Sequence, residues 1–101
     1  MNDSTVIDQL LSDAQTWAVV GLSAKPERAS YRVAARLQSI GKTIIPVNPV
    51  EDEILGEKSY PDLASIPDRV DVVDIFRRAD LAGVHVDEAI EIGAKAVWMQ
   101  L

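Results

Sequence analysis

The chain has 101 residues, a net charge of −6 and no cysteine. That length suits a single domain, residues 1–101, with one core, and the lack of cysteine excludes disulfides, thiol catalysis and cysteine-bound metal. Hydrophobic residues make up 48% of the chain and mean hydropathy is +0.05, a globular rather than disordered composition. The acidic balance argues against general nucleic-acid binding, which needs broad phosphate neutralisation. No apolar run reaches membrane-span length, and residues 1–13 hold no basic stretch followed by an apolar block. The expectation is a cytoplasmic protein that touches neither nucleic acid nor membrane.

Residues 1–13 place Val6, Ile7, Leu10 and Leu11 on one helical stripe, with Asp3 or Ser4 able to cap it. This predicts a short helix that packs on the sheet. Trp17 to Val20 is a short apolar run closed by Gly21, the pattern of a buried strand. Beyond the turn, Val33, Leu37 and Ile40 follow a helical period, with Ser30 as N-cap and Gly41 as stop. Strand, small-residue turn and helix open a nucleotide-binding βαβ unit, and the turn is where a phosphate would sit.

The charges sharpen that reading. Residues 25–42 hold five basic side chains, Lys25, Arg28, Arg32, Arg36 and Lys42, against the single acid Glu27. Half the positive charge of an acidic chain therefore stands beside one turn. Lys25 and Arg28 can add charge-assisted hydrogen bonds to a phosphate already favoured by the helix N-terminus. Arg36, about 12 Å further along the helix than Arg28, reads as part of the solvated face.

Residues 42–47 form a second β-branched strand, and Val47-Asn48-Pro49 at its end is informative through what it lacks. Dinucleotide-binding units usually carry an acidic residue there for the ribose, and a G-x-G-x-x-G turn before it. Here Asn48 takes the acidic position, and Ser23 and Pro26 stand where glycines would be. NAD is disfavoured; NADP survives only as an alternative. Glu51-Asp52-Glu53 reads as a solvated acidic loop. Residues 57–61 suffice for an edge strand, and residues 62–66 for one helical turn closed by Pro67.

Residues 70–76 are the strongest strand after the first, with Asp71 near its start and Asp74 near its carboxyl end. Arg77 follows at the carboxyl edge, where open parallel sheets bind ligands. Residues 80–93 form a helix whose buried side would carry Leu81, Val84, Ala89, Ile90 and Ile92. His85, the sole histidine, reads as a surface or packing residue of that helix. Residues 95–101 are a last strand. The alternation describes an α/β, Rossmann-like, mostly parallel sheet covered by helices on both faces, stopping after the fifth strand.

Five motifs in this order resemble the small single-domain CoA-binding proteins, which are similar to the CoA-binding domain of the succinyl-CoA ligase alpha subunit. They are Gly21-Leu22-Ser23-Ala24-Lys25-Pro26-Glu27-Arg28, Pro46-Val47-Asn48-Pro49, Leu55-Gly56 through Tyr60-Pro61, the strand from Val70 to Arg77, and Val97-Trp98-Met99-Gln100. The resemblance implies coenzyme A or an acyl-CoA as ligand. Gly21, Leu22 and Ser23 would allow close backbone approach, and Lys25 and Arg28 would take phosphate. Val47, Asn48 and Pro49 would border the adenosine, with Phe76 and Arg77 across the crevice. The family normally continues past Trp-Met-Gln with a glycine, a helix and a strand. This chain stops at Leu101, which leads to the expectation of an exposed edge and self-association through residues 95–101.

No nucleophile, base and orienting group can be assembled from the sequence. The reading is a binding module rather than an enzyme. The alternatives are an NADP-binding or acyl-CoA synthetase-like subunit that needs a separate catalytic partner.

Overall fold

The computed structural model describes residues 12–100. The stripe Val6, Ile7, Leu10 and Leu11 lies outside them. The chain runs through β1 (Thr16–Val20), helix α1 (Ala29–Ser39) and β2 (Thr43–Val47). A hairpin of β3 (Glu53–Ile54) and β4 (Glu57–Lys58) follows, then a 3-10 turn at Leu63–Ser65. The last elements are β5 (Val72–Ile75), helix α2 (Ala79–Glu91) and β6 (Ala96–Met99).

The main sheet is parallel, in the order β2-β1-β5-β6. Its inner strands are continuous apolar runs because both faces are covered. On one face Trp17, Val19, Ile44 and Val72 meet Ala34 and Leu37 of α1. On the other, Ala18, Val20, Val73 and Ile75 meet Ala82 and Ala89 of α2. This is the expected Rossmann-like arrangement. The segment expected as a lone edge strand is instead a hairpin, turning at Leu55 and Gly56 with positive φ. Tyr60 then lies beside β2, giving its N–H to Pro46 O at 3.0 Å and taking that of Asn48 at 2.9 Å.

The helix faces follow their expected registers in part: Val33 and Leu37 of α1, and Ala89 and the C-cap Ile92 of α2, meet the core. Along α1 the buried positions are Ser30, Ala34 and Leu37, while Ile40 is the C-cap and is exposed. Along α2, Ala82 and Ala89 are buried, whereas Leu81, Val84 and Ile90 face outward. Small residues, Ser30 and Ala34 on α1 and Ala82 and Ala89 on α2, hold most of the buried helix positions. Helix α1 ends with Gly41 at φ 90°. The N–H of Gly41 bonds Gln38 O and that of Lys42 bonds Leu37 O, both at 3.0 Å, which satisfies the last carbonyls.

Two aspartates mark β5. Asp71 accepts the N–H groups of Gln15 at 2.9 Å and Thr16 at 3.0 Å, tying the entry of β5 to β1. Those bonds, Thr16 first and then Gln15, hold its carboxyl below the ordinary value, with help from Lys95. Asp74 is 2% exposed, between Val19 and Trp98 in register, and its Oδ1 has no partner among the described residues. Burial pushes its carboxyl up from 3.8 to about 6, against a hydrogen bond from the Gln100 side chain.

The sign follows from linkage. The folded chain holds the Asp74 proton more tightly than the unfolded chain, so this stability is complete below about pH 4 and is lost as pH rises through 6. The full span corresponds to about 3 kcal/mol, roughly half of it between about pH 5 and about pH 7.5. Urea denaturation of Asp74→Asn against the parent should show that slope removed. Parallel profiles for the two proteins over this range would refute the assignment.

Candidate functional site

Strand β1 sends the chain to β2 on one side, while β5 takes the other. The carboxyl ends therefore diverge at a topological switch point, where open α/β sheets hold ligands. A crevice of about 420 Å³ opens there. Gly21, Ser23 and Lys25 line it from the β1–α1 turn, Val47, Asn48 and Pro49 from the end of β2, and Arg77 and His85 from the β5–α2 side. A cavity of about 220 Å³ adjoins it, lined by Arg28, Ser30 and Phe76 and sharing Gly21 and Ser23. The structure thus gathers eight of the ten expected site residues into the crevice, counting Leu22, and puts Arg28 and Phe76 just across the turn.

The turn is built from backbone outward. Gly21 has φ 80° and gives its N–H to Val47 O at 3.0 Å. A Cβ at this position would lie 2.5 Å from Phe76 O, so the strand exit is packed against the end of β5. The N–H of Ser23 bonds Ser30 Oγ at 3.0 Å. Ser30 is therefore not the N-cap: it sits inside the first turn and braces the loop, while Arg28 is the N-cap and offers no side-chain cap. The N–H of Lys25 bonds Ser23 Oγ at 3.1 Å. That bond uses a lone pair of the hydroxyl and leaves its proton to be given to a ligand.

Leu22 is fully buried in the core, so only its backbone faces the crevice. Its carbonyl accepts Asn48 Nδ2 at 3.0 Å, and Asn48 Oδ1 accepts the N–H groups of Val50 at 2.8 Å and Glu51 at 3.2 Å. The side chain of Asn48 is thus a staple between the β2 loop and the β1 turn. Lys25, Arg28 and Arg77 are exposed and form no ion pair among the described residues. Glu51 is the one carboxylate of the crevice lining.

Sequence reasoning passed over His85. The structure places it on the crevice wall, with Nδ1 at 2.8 Å from Glu88 Oε1. The signal available was the i, i+3 spacing to Glu88, one helical face, on a helix that leaves the carboxyl edge of the sheet. Among the described residues no cluster of three potential ligands could hold a metal ion, and no helix is long and apolar enough to cross a membrane.

The switch-point crevice, the braced turn and the cations around it define a Rossmann-like domain of the CoA-binding kind. The family model described as the CoA binding domain matches residues 15–101, and the chain belongs to that family. It is 42% identical over 94 residues to YneT of Bacillus subtilis, an uncharacterized protein, covering 93% of this chain and 70% of that one. A solved hypothetical protein from Pyrococcus horikoshii superposes with a TM-score of 0.92 at 40% identity, over 96% of this chain and 68% of that one. The alpha subunit of the ADP-forming acetate–CoA ligase II of Pyrococcus furiosus is 33% identical over 81 residues, 79% of this chain but 18% of that subunit.

The turn geometry gives a paired test. Gly41 also has a left-handed φ, 90°, but a Cβ there would meet nothing within 4 Å. Gly41→Ala should cost roughly 1–2 kcal/mol, the left-handed penalty alone. Gly21→Ala should cost a further ~1–3 kcal/mol, because the backbone at Phe76 must move. Equal losses in urea denaturation would contradict the close approach at Gly21.

Proposed function

We propose that the chain is a binding module for coenzyme A or an acyl-CoA, with the pyrophosphate at the β1–α1 turn and no nucleophile of its own. The observation that carries this reading is the crevice itself. It sits at the switch point, presents Lys25 and Arg77 without ion-pair partners among the described residues, and has the amide of Asn48 where dinucleotide sites hold a ribose carboxylate. Coenzyme A carries a 3′-phosphate as well as the pyrophosphate, which suits more cation and no ribose carboxylate. The adenosine lies toward Asn48 and Pro49, and the pantetheine arm leads across β5 toward Arg77. Family membership supports the ligand class.

The binding-module reading rests on the side chains. The chain has no cysteine, and the Ser23 hydroxyl has Lys25 N–H rather than a base beside it. The matched portion of the ligase subunit is 18% of its length, so the rest of that protein has no counterpart in this chain.

Calorimetry with coenzyme A, dephospho-coenzyme A, NAD and NADP at matched ionic strength tests the proposal. Coenzyme A should bind, removal of the 3′-phosphate should weaken it, and NAD should not register. Joint Lys25→Ala and Arg28→Ala substitution should weaken coenzyme A roughly ten- to a hundredfold, the scale of lost charged hydrogen bonds. Equal binding of NAD, or unchanged affinity in the double variant, would overturn it.

A further inference from the structure

We propose that His85, oriented by Glu88, acts as a base toward the thiol of the bound ligand, so that the domain holds coenzyme A with its sulfur primed for reaction. The inference rests on the coenzyme A reading above. A carboxylate accepts hydrogen bonds and does not donate them. Because Glu88 Oε1 stands 2.8 Å from His85 Nδ1, the ring hydrogen belongs on Nδ1. The neutral ring then has Nε2, with its lone pair, as its one remaining polar atom, and His85 lines the crevice. Base, orienting carboxylate and open crevice form the geometry of an activated nucleophile with the nucleophile missing. The chain itself supplies no thiol.

The direction of the ligand supplies it. With adenosine over the end of β2 and pyrophosphate over β1, the arm that ends in the thiol runs toward β5 and α2. Arg77 and His85 are the polar side chains that line the crevice on that side. The S–H bond breaks with its electron pair left on sulfur, and His85 Nε2 takes the proton. The positive charge formed on the ring is balanced by Glu88, and Arg77 on the same wall favours the sulfur anion. When the sulfur attacks an electrophile, the new bond to sulfur forms, the leaving group departs with its electrons, and His85 returns the proton to water. Both partners of the dyad are about three-quarters buried, with side chains 23% and 26% exposed, which shields the pair from water.

The lack of cysteine makes the test direct, because every thiol in the mixture belongs to the ligand. Iodoacetamide is added to coenzyme A in the presence of excess protein, and the alkylated ligand is measured by mass spectrometry. Calorimetry on the same samples reports binding separately. Coenzyme A bound to the parent chain should alkylate about tenfold or more faster than free coenzyme A at neutral pH, a conservative figure for a positioned base. His85→Gln should remove the acceleration while coenzyme A affinity changes less than about threefold, since the phosphates carry the binding. Glu88→Gln, which keeps an acceptor but not the charge, should give an intermediate rate. Bound coenzyme A that reacts no faster than free coenzyme A, or His85→Gln as fast as the parent, overturns the proposal while leaving the binding function standing. A calorimetric blank for coenzyme A overturns the binding function and the base together.

Discussion

Three strand ends converge on Gly21, and the distance between them is set by the Cβ that this residue lacks. Its N–H bonds the last residue of β2, while the N–H of Phe76, just past β5, bonds Val20 O at 2.8 Å. A Cβ at position 21 would intrude on the Phe76 carbonyl. Because β1 is flanked by β2 and β5, its exit must clear both neighbours at once. Glycine lets the three ends close up, and that closure sets Lys25, Asn48 and Arg77 around one crevice. A side chain there would part β1 from β5 and divide the lining between two sites.

The helices obey a related constraint. A helix that presents serine and alanine to a sheet can approach more closely than one that presents leucine and isoleucine. On α1 this proximity has a consequence for the site, since Ser30 is carried inward far enough to accept Ser23 N–H. The β1–α1 turn is thus fastened to its own helix from below, and the first-turn N–H groups of α1 are left without a side-chain cap. Those groups and the positive end of the helix dipole face the turn. On α2 the same packing turns Leu81, Val84 and Ile90 outward, which a hydrophobicity pattern alone reads as the core.

That difference explains what was legible in the sequence. Buried parallel strands are contiguous apolar runs, so β1, β2, β5 and β6 could be placed, and with them the turn and the switch point. Site residues tied to strand ends, such as Gly21, Asn48 and Arg77, followed from that placement. Periodicity places Val33, Leu37, Ala89 and Ile92 against the core, but it also puts Ile40, Leu81, Val84 and Ile90 there because it ranks residues by hydrophobicity, and these are exposed. Ser30 differs for another reason: its residue type suits an N-cap, but it lies two residues inside the N-cap Arg28, where its hydroxyl takes the Ser23 N–H. The Leu55-Gly56 hairpin was hidden because leucine is an uncommon choice for positive φ. His85 was hidden because a lone histidine has no pattern, and only the fold brings it to the crevice.

On the proposed function, the distribution of charge separates holding a ligand from acting on it. The chain as a whole is acidic, and long-range attraction to an anion is correspondingly weak. Lys25 and Arg28 stand beside the helix N-terminus, where a phosphate would meet donors and positive charge together. Asn48 uses its amide on Leu22, Val50 and Glu51, so it organises the β2 end without bringing a negative charge to it. The His85–Glu88 pair carries one negative charge while the ring is neutral and none once the ring has gained a proton. A proton moving from ligand to ring therefore transfers negative charge from Glu88's side of the pair to the sulfur, toward Arg77. In that proposal affinity is set at the β1–α1 turn and reactivity at α2, and the two can vary independently because they would act on opposite ends of one extended ligand.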